Sequence, residues 1–168
     1  MLADYSEVFK RTKHELKIIE PQFHGLGKFL INHGEKNNLI LDIGYTSTRI
    51  LFYVNGFLKE ERHIETDQAN DLETFLAPIA EGVLESFQSP LSLARGFENE
   101  TIFLSGGGSL IPGVIGYLSE KINREIARLS IFGRDSEMFK FQKEIPEEDL
   151  CLLMPCLGGM LGWENKKE

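Results

Sequence analysis

The stretch LILDIGYTSTRILFYV, residues 39–54, decides how the chain is read. Two apolar, β-rich runs flank a polar turn, Gly44-Tyr45-Thr46-Ser47-Thr48, and the first run carries one aspartate, Asp42, near its end. Apolar residues at consecutive rather than alternate positions mark a strand covered on both faces. A carboxylate in such a strand either bears a large desolvation cost or becomes protonated, so its natural place is where the strand emerges into a cleft. Gly44 lets the backbone turn tightly or lets a ligand come close. Thr46, Ser47 and Thr48 offer hydroxyls and amides at one place. With Asp42 suited to a hydrated Mg2+, the set is what a phosphate tail requires. A plain Asp-x-Gly β-turn accounts for the same residues equally well.

Working outward, residues 48–54 end at Asn55-Gly56, a strong hairpin signal, so residues 57–64 are expected to return antiparallel and complete a three-strand meander. Upstream, residues 4–16 read as a helix, 17–20 as a short strand, and Pro21 as the start of a second helix with Phe23, Leu26, Phe29 and Leu30 on one side. Gly34 stops that helix, and residues 35–38 read as a polar loop.

Downstream the period becomes helical: Leu72, Phe75, Leu76, Ile79, Val83 and Phe87 share one stripe, with Asp67 or Asn70 available as cap and Ser89-Pro90 as terminator. Residues 101–104 form a compact strand, expected parallel to residues 39–43, that runs into Ser105-Gly106-Gly107-Gly108-Ser109. Pro112 then opens a helix with Val114, Ile115, Leu118 and Ile122 inward, so the glycine turn leads to a helix N-terminus, where amides and the dipole favour an anionic ligand. Residues 125–130 suit another strand and 132–143 a loop; Pro146 opens a last helix with Leu150, Leu153, Met154, Leu157 and Leu161 inward. Gly158, Gly159 and Gly162 would let that helix pack close to a neighbour. Three strands followed by helix-linked strands give an α/β, ribonuclease H-like layout, a mixed sheet of about five strands with helices on both faces.

A length of 168 residues, 42% of them hydrophobic, suits one domain. Within it, residues 1–38 read as an arm, 39–163 as the core and 164–168 as a polar tail. The net charge of -8 argues against nucleic acid, since no basic stripe is present to displace counterions. Cys151 and Cys156 read as core thiols, and the four histidines, His14, His24, His33 and His63, share no face for a metal. The N-terminus lacks the apolar segment of a secretory signal, and no uncharged run reaches the ~20 residues of a membrane span, so a cytoplasmic chain without direct membrane insertion is expected. The glycine turn fails as a dinucleotide fingerprint because Ile111 stands where glycine is needed, and neither a P-loop nor a nucleophile elbow is present.

Leu41-Asp42-Ile43-Gly44-x-Thr46-x-Thr48, then Phe103-Leu104-Ser105-Gly106-Gly107-Gly108 with Pro112-Gly113, then the glycine-rich last helix together resemble the actin-like ATPase superfamily, over roughly residues 17–163. Within it the chain resembles the PilM-type pilus-assembly proteins, the FtsA-like division proteins and the cytoplasmic part of GspL-type secretion proteins. The resemblance implies ATP and Mg as ligands. It places Asp42, Gly44, Thr46 and Thr48 at the phosphates and Gly106, Gly107 and Gly108 at the adenosine, with Asp42 serving the metal through water or, in an active ATPase, the attacking water. No earlier Asp-x-Gly-x-Thr/Ser turn precedes residue 39, and Tyr45 stands where the pattern favours a small residue, placed to crowd or cover the phosphates.

The expectation is therefore a C-terminal lobe whose nucleotide site needs a complementary first lobe, with no ligand and no hydrolysis by the chain alone. It implies a scaffold or adaptor of a type IV pilus or type II secretion inner-membrane platform, peripheral to the membrane through protein partners. The other function class is the C-terminal half of a working actin-like ATPase or small-molecule kinase. The edge of residues 57–64, with Lys59, Glu60, Glu61 and Arg62, is the expected place for a partner to add a strand.

Overall fold

A computed structural model describes residues 21–32, 37–66, 71–90, 97, 101–129 and 145–161. The helix expected over 4–16, the strand at 17–20, the Gly34 stop and the loop at 132–143 lie outside the described residues.

Strands β1 (Asn37–Ile43), β2 (Ser47–Val54) and β3 (Phe57–Glu65) form the expected antiparallel meander. Asn55 and Gly56, at φ 50° and 72°, supply the two left-handed residues that match a tight hairpin to the twist of its strands. β4 (Ile102–Ser105) lies parallel to β1, and β5 (Ile126–Arg128) parallel to β4, giving the order β3-β2-β1-β4-β5. β1 starts inside the segment read as a polar loop: Asn37 and Asn38 pair with Val54 and Tyr53, because β2 runs far enough to offer them partners.

Helices cover both faces. On one, α2 (Leu72–Ser86) and α3 (Val114–Ile122) set Leu76, Ile79, Val83, Val114 and Leu118 on Leu39, Leu41, Ile43, Ile50 and Phe52. On the other, α1 (Gln22–Asn32) and α4 (Glu147–Leu161) set Leu26, Phe29, Leu30, Met154 and Leu157 on Ile40, Leu51 and Tyr53. Odd and even residues of β1 thus serve different cores, which is why its sequence is apolar without alternation.

Local chemistry corrects several expectations. The cap of α2 is Asp71, which accepts from Thr74 N at 2.8 Å and from Thr74 Oγ1 at 2.7 Å; Asp67 and Asn70 lie outside the described residues. These bonds favour the ionised form and hold the Asp71 carboxyl below its ordinary value. The helix ends at Ser86, before Ser89-Pro90, with the Phe87 N–H donating to Val83 O. Cys156 is exposed rather than a core thiol, since α4 turns Met154 and Leu157 inward and carries Cys156 to the side of exposed Leu152.

The α1/α4 contact is built on absent side chains. A Cβ on Gly158 would meet the carbonyl of Gly25, and one on Gly25 the carbonyl of Pro155, so the two helix backbones touch. Gly27 makes the same allowance for the Tyr53 ring, whose hydroxyl donates to Phe23 O at 2.6 Å and ties α1 to the sheet. Burial pushes the Tyr53 phenol above its ordinary pKa, with the Asp42 and Glu61 carboxylates adding to the effect.

Candidate functional site

The parallel strands β1 and β4 end side by side, with Asp42 opposite Ser105, and a crevice outside the carboxyl ends of such strands is where open α/β sheets bind ligands. Past Ile43 the chain reverses within four residues, Gly44 N–H donating to Ser47 O at 2.9 Å. Past Ser105 the chain swings through Gly106 at φ 80°, ψ 172° into a 3-10 turn, Gly107–Leu110. Ser109 donates twice to Gly106 O, from N at 3.1 Å and from Oγ at 2.7 Å, and Arg128 Nε donates to Ser109 O at 2.8 Å.

These two turns are in contact. A Cβ on Gly106 would lie 2.6 Å from Ile43 O and 2.8 Å from Asp42 Oδ1, and one on Gly108 would strike the Ile43 side chain. Gly106 and Gly108 are thus the flat wall against which the end of β1 rests. Gly107 is exposed, with nothing within 4 Å of the position its Cβ would take.

The structure brings Asp42, Gly44, Gly106 and Gly108 together, with Gly107 open beside them. Thr46 is exposed in the turn, its carbonyl accepting from Thr66 N at 3.0 Å. Thr48 does not join them. It pairs with Ile43, so it shares that residue's face of the sheet, one position out of phase with Asp42. Its hydroxyl is buried there, with no hydrogen-bond partner. Tyr45 projects away from the protein, 72% exposed. The glycine turn is also not itself a helix N-terminus: the 3-10 turn and Gly113, at φ 85°, separate it from α3, which starts at Val114.

Two residues of this corner were missed. Arg49 is the cross-strand partner of Asp42 on β2, and Ser105 is its partner on β4, so Arg49, Asp42 and Ser105 form a row on one face. The strand periods alone set that row once the four-residue turn fixes the register. Burial raises the Asp42 carboxyl above its ordinary 3.8, opposed by the Arg49 charge and by the Ser105 hydroxyl. Ser105 Oγ is buried without a partner in hydrogen-bond geometry, so it acts on Asp42 as a nearby dipole rather than as a formed bond.

A raised folded value means that the native state holds its proton to higher pH than the unfolded chain does. Stability therefore falls as pH rises from 3.8 through the folded value of Asp42. Asp42→Asn should raise Tm at neutral pH, and the gain should vanish below pH 3.8, as melts across that range would read. A lower Tm at neutral pH would mean that the carboxylate holds the corner together rather than straining it.

Among the described residues no three His, Cys, Asp or Glu side chains gather to hold a metal, and no helix is long and apolar enough to cross a membrane. A separate groove of about 510 Å³ opens between the start of α1 and α4, lined by Pro21, Gln22, Gly25, Leu152, Pro155, Cys156 and Gly159, with no Asp, Glu, Lys or Arg among them.

No protein-family model matches the sequence, and no curated protein matches it. Solved structures match its fold. MreB5 of Spiroplasma citri bound to AMPPNP matches with a TM-score of 0.62 at 16% identity, over 95% of this chain and 63% of that one. The PilM-PilN type IV pilus biogenesis complex matches with 0.57 at 16% identity, over 94% and 56%. The ethanolamine utilization protein EutJ from Carboxydothermus hydrogenoformans matches with 0.52 at 14% identity, over 93% and 58%. The chain thus has the α/β actin-like ATPase fold and spans 56% to 63% of the length of these structures.

Proposed function

With the actin-like ATPase fold as premise, we propose that the chain is a scaffold or adaptor lobe of a type IV pilus or type II secretion inner-membrane platform, and that it forms one wall of an ATP-type nucleotide site. The nucleotide part is carried by the meeting of the Asp42-Gly44 turn with Gly106 and Gly108 at the ends of two parallel strands. Asp42 would hold a Mg2+ through water, the rest of its shell coming from phosphates and solvent. Such an ion would neutralise phosphate charge. The protein-partner part is supported by the likeness to the PilM-PilN complex. The lobe would lie in the cytoplasm, peripheral to the inner membrane through its partners.

Phosphoryl transfer depends on charge stabilisation and positioning from all sides of the phosphate, and these residues supply one side. The purified 168-residue chain should therefore release phosphate from ATP no faster than background. Release abolished by Asp42→Ala would instead support the second reading, half of a working ATPase or kinase, which the likeness to nucleotide-bound MreB5 favours.

The partner would add a strand at β3, which stands at the edge of the sheet with Lys59, Glu61, His63 and Glu65 exposed. On mixing with the cytoplasmic peptide of a bitopic platform protein, amide exchange should slow along Phe57–Glu65. Unchanged exchange in β3 with slowing elsewhere would move the docking site to a helical face.

A further inference from the structure

We propose that Arg49 is the phosphate-gripping residue of this corner, held on Glu61 until a ligand arrives, and that it makes the site select a di- or triphosphate tail over a bare nucleoside. This names the ligand class of the nucleotide site above and rests on that reading.

The row across the sheet is the basis. Arg49 on β2, Asp42 on β1 and Ser105 on β4 are consecutive partners at the ends of the parallel strands, beside the wall made by Gly106 and Gly108. A phosphate entering that crevice meets the Asp42 carboxylate, and like charges a few ångströms apart repel strongly where water is partly excluded. A cation in the adjacent position offsets that repulsion, and Arg49 holds that position. A guanidinium presents five N–H donors and no acceptor, so its role is to bind and not to abstract a proton.

Arg49 is also free to move to the ligand. Its Nε lies 3.7 Å from Glu61 Oε1, with side chains 40% and 37% exposed. An exposed, loosely spaced pair contributes little and is surrendered at small cost. A guanidinium on phosphate oxygens makes two parallel charge-assisted bonds, a stronger arrangement. At the other end of the row the buried Ser105 hydroxyl lies beside the Asp42 carboxylate and acts on it, which leaves Arg49 as the group of the row that can turn to a ligand.

The test is calorimetric titration of the full chain with MgATP and with adenosine, for wild type, R49M, R49K and E61Q, each first checked for folding by its thermal melt. Against the expectation of no ligand for the chain alone, one wall should suffice for weak binding, and wild type should bind MgATP at least tenfold more tightly than adenosine. R49M should lose at least tenfold for MgATP and stay within twofold for adenosine, R49K should fall between, and E61Q, with its arginine released, should gain a few fold for MgATP. Inorganic tripolyphosphate should compete with MgATP on wild type. R49M equal to wild type, R49K no better than R49M, or wild type indifferent to the tail would each overturn the role of Arg49 and leave nucleotide binding standing. Wild type binding neither MgATP nor adenosine would overturn both.

Discussion

Gly106→Ala should cost about 4 kcal/mol of stability and lower Tm by roughly 10 °C, as the sum of backbone strain and overpacking against a rigid neighbour. Gly106 sits at φ 80° and ψ 172°, a region open almost only to glycine, so alanine there is strained whatever the space around it. The space is closed as well: the new Cβ would lie 2.6 Å from Ile43 O and 2.8 Å from Asp42 Oδ1. Ile43 is fully buried in β1 and cannot retreat, so the relief must come from the Asp42 carboxylate or from the turn that follows β4. Either movement separates the two halves of the candidate site. Gly107→Ala is the control, with open space at its Cβ and no positive φ, and should leave stability within about 1 kcal/mol of wild type. Urea unfolding of the two variants reads the difference; equal midpoints would mean that the Gly106 turn relaxes without strain.

The second large effect is expected at the contact of α1 with α4. Gly158→Ala should destabilise by about 3 kcal/mol, because its Cβ would meet the carbonyl of Gly25 in α1. A side chain could rotate away, but a helix backbone cannot. The two helices must move apart and loosen Leu26, Phe29, Met154 and Leu157 over Ile40 and Leu51. Gly159→Ala, one residue on, meets nothing within 4 Å and removes a poor helix former, so it should be neutral or stabilising by up to about 1 kcal/mol. Opposite signs for adjacent glycines would locate the helix crossing by stability alone. Matching losses would mean that the contact at Gly158 does not set the cost, since helix propensity alone favours alanine at both positions.

Much of the architecture is local physics and was legible. The consecutive apolar residues 39–41 announce a strand covered on both faces, Asn55-Gly56 carries its hairpin in the two left-handed residues themselves, and the stripe from Leu72 to Val83 is helical by period alone. Less legible were choices among near-equivalent local candidates. Asp71 caps α2 because its carboxylate reaches Thr74, and nothing in the order of Asp67, Asn70 and Asp71 ranks the three. Cys156 is exposed because α4 presents only part of its circumference to the sheet, and a helix apolar over most of its length does not declare which part.

The sequence by itself determined the elements, their order and the two turns that end β1 and β4, since φ preferences, strand period and helix period act over a few residues. Only the tertiary structure decided that those turns touch. Asp42 and Gly106 meet through the parallel pairing of β1 with β4, a non-local contact whose register is set by burial on both faces of the sheet. The same packing sorted the hydroxyls and charges. It sent Thr48 to the face of Ile43 and away from Asp42, and set Arg49 and Ser105 on either side of the carboxylate, because a one-residue step along a strand exchanges one face for the other.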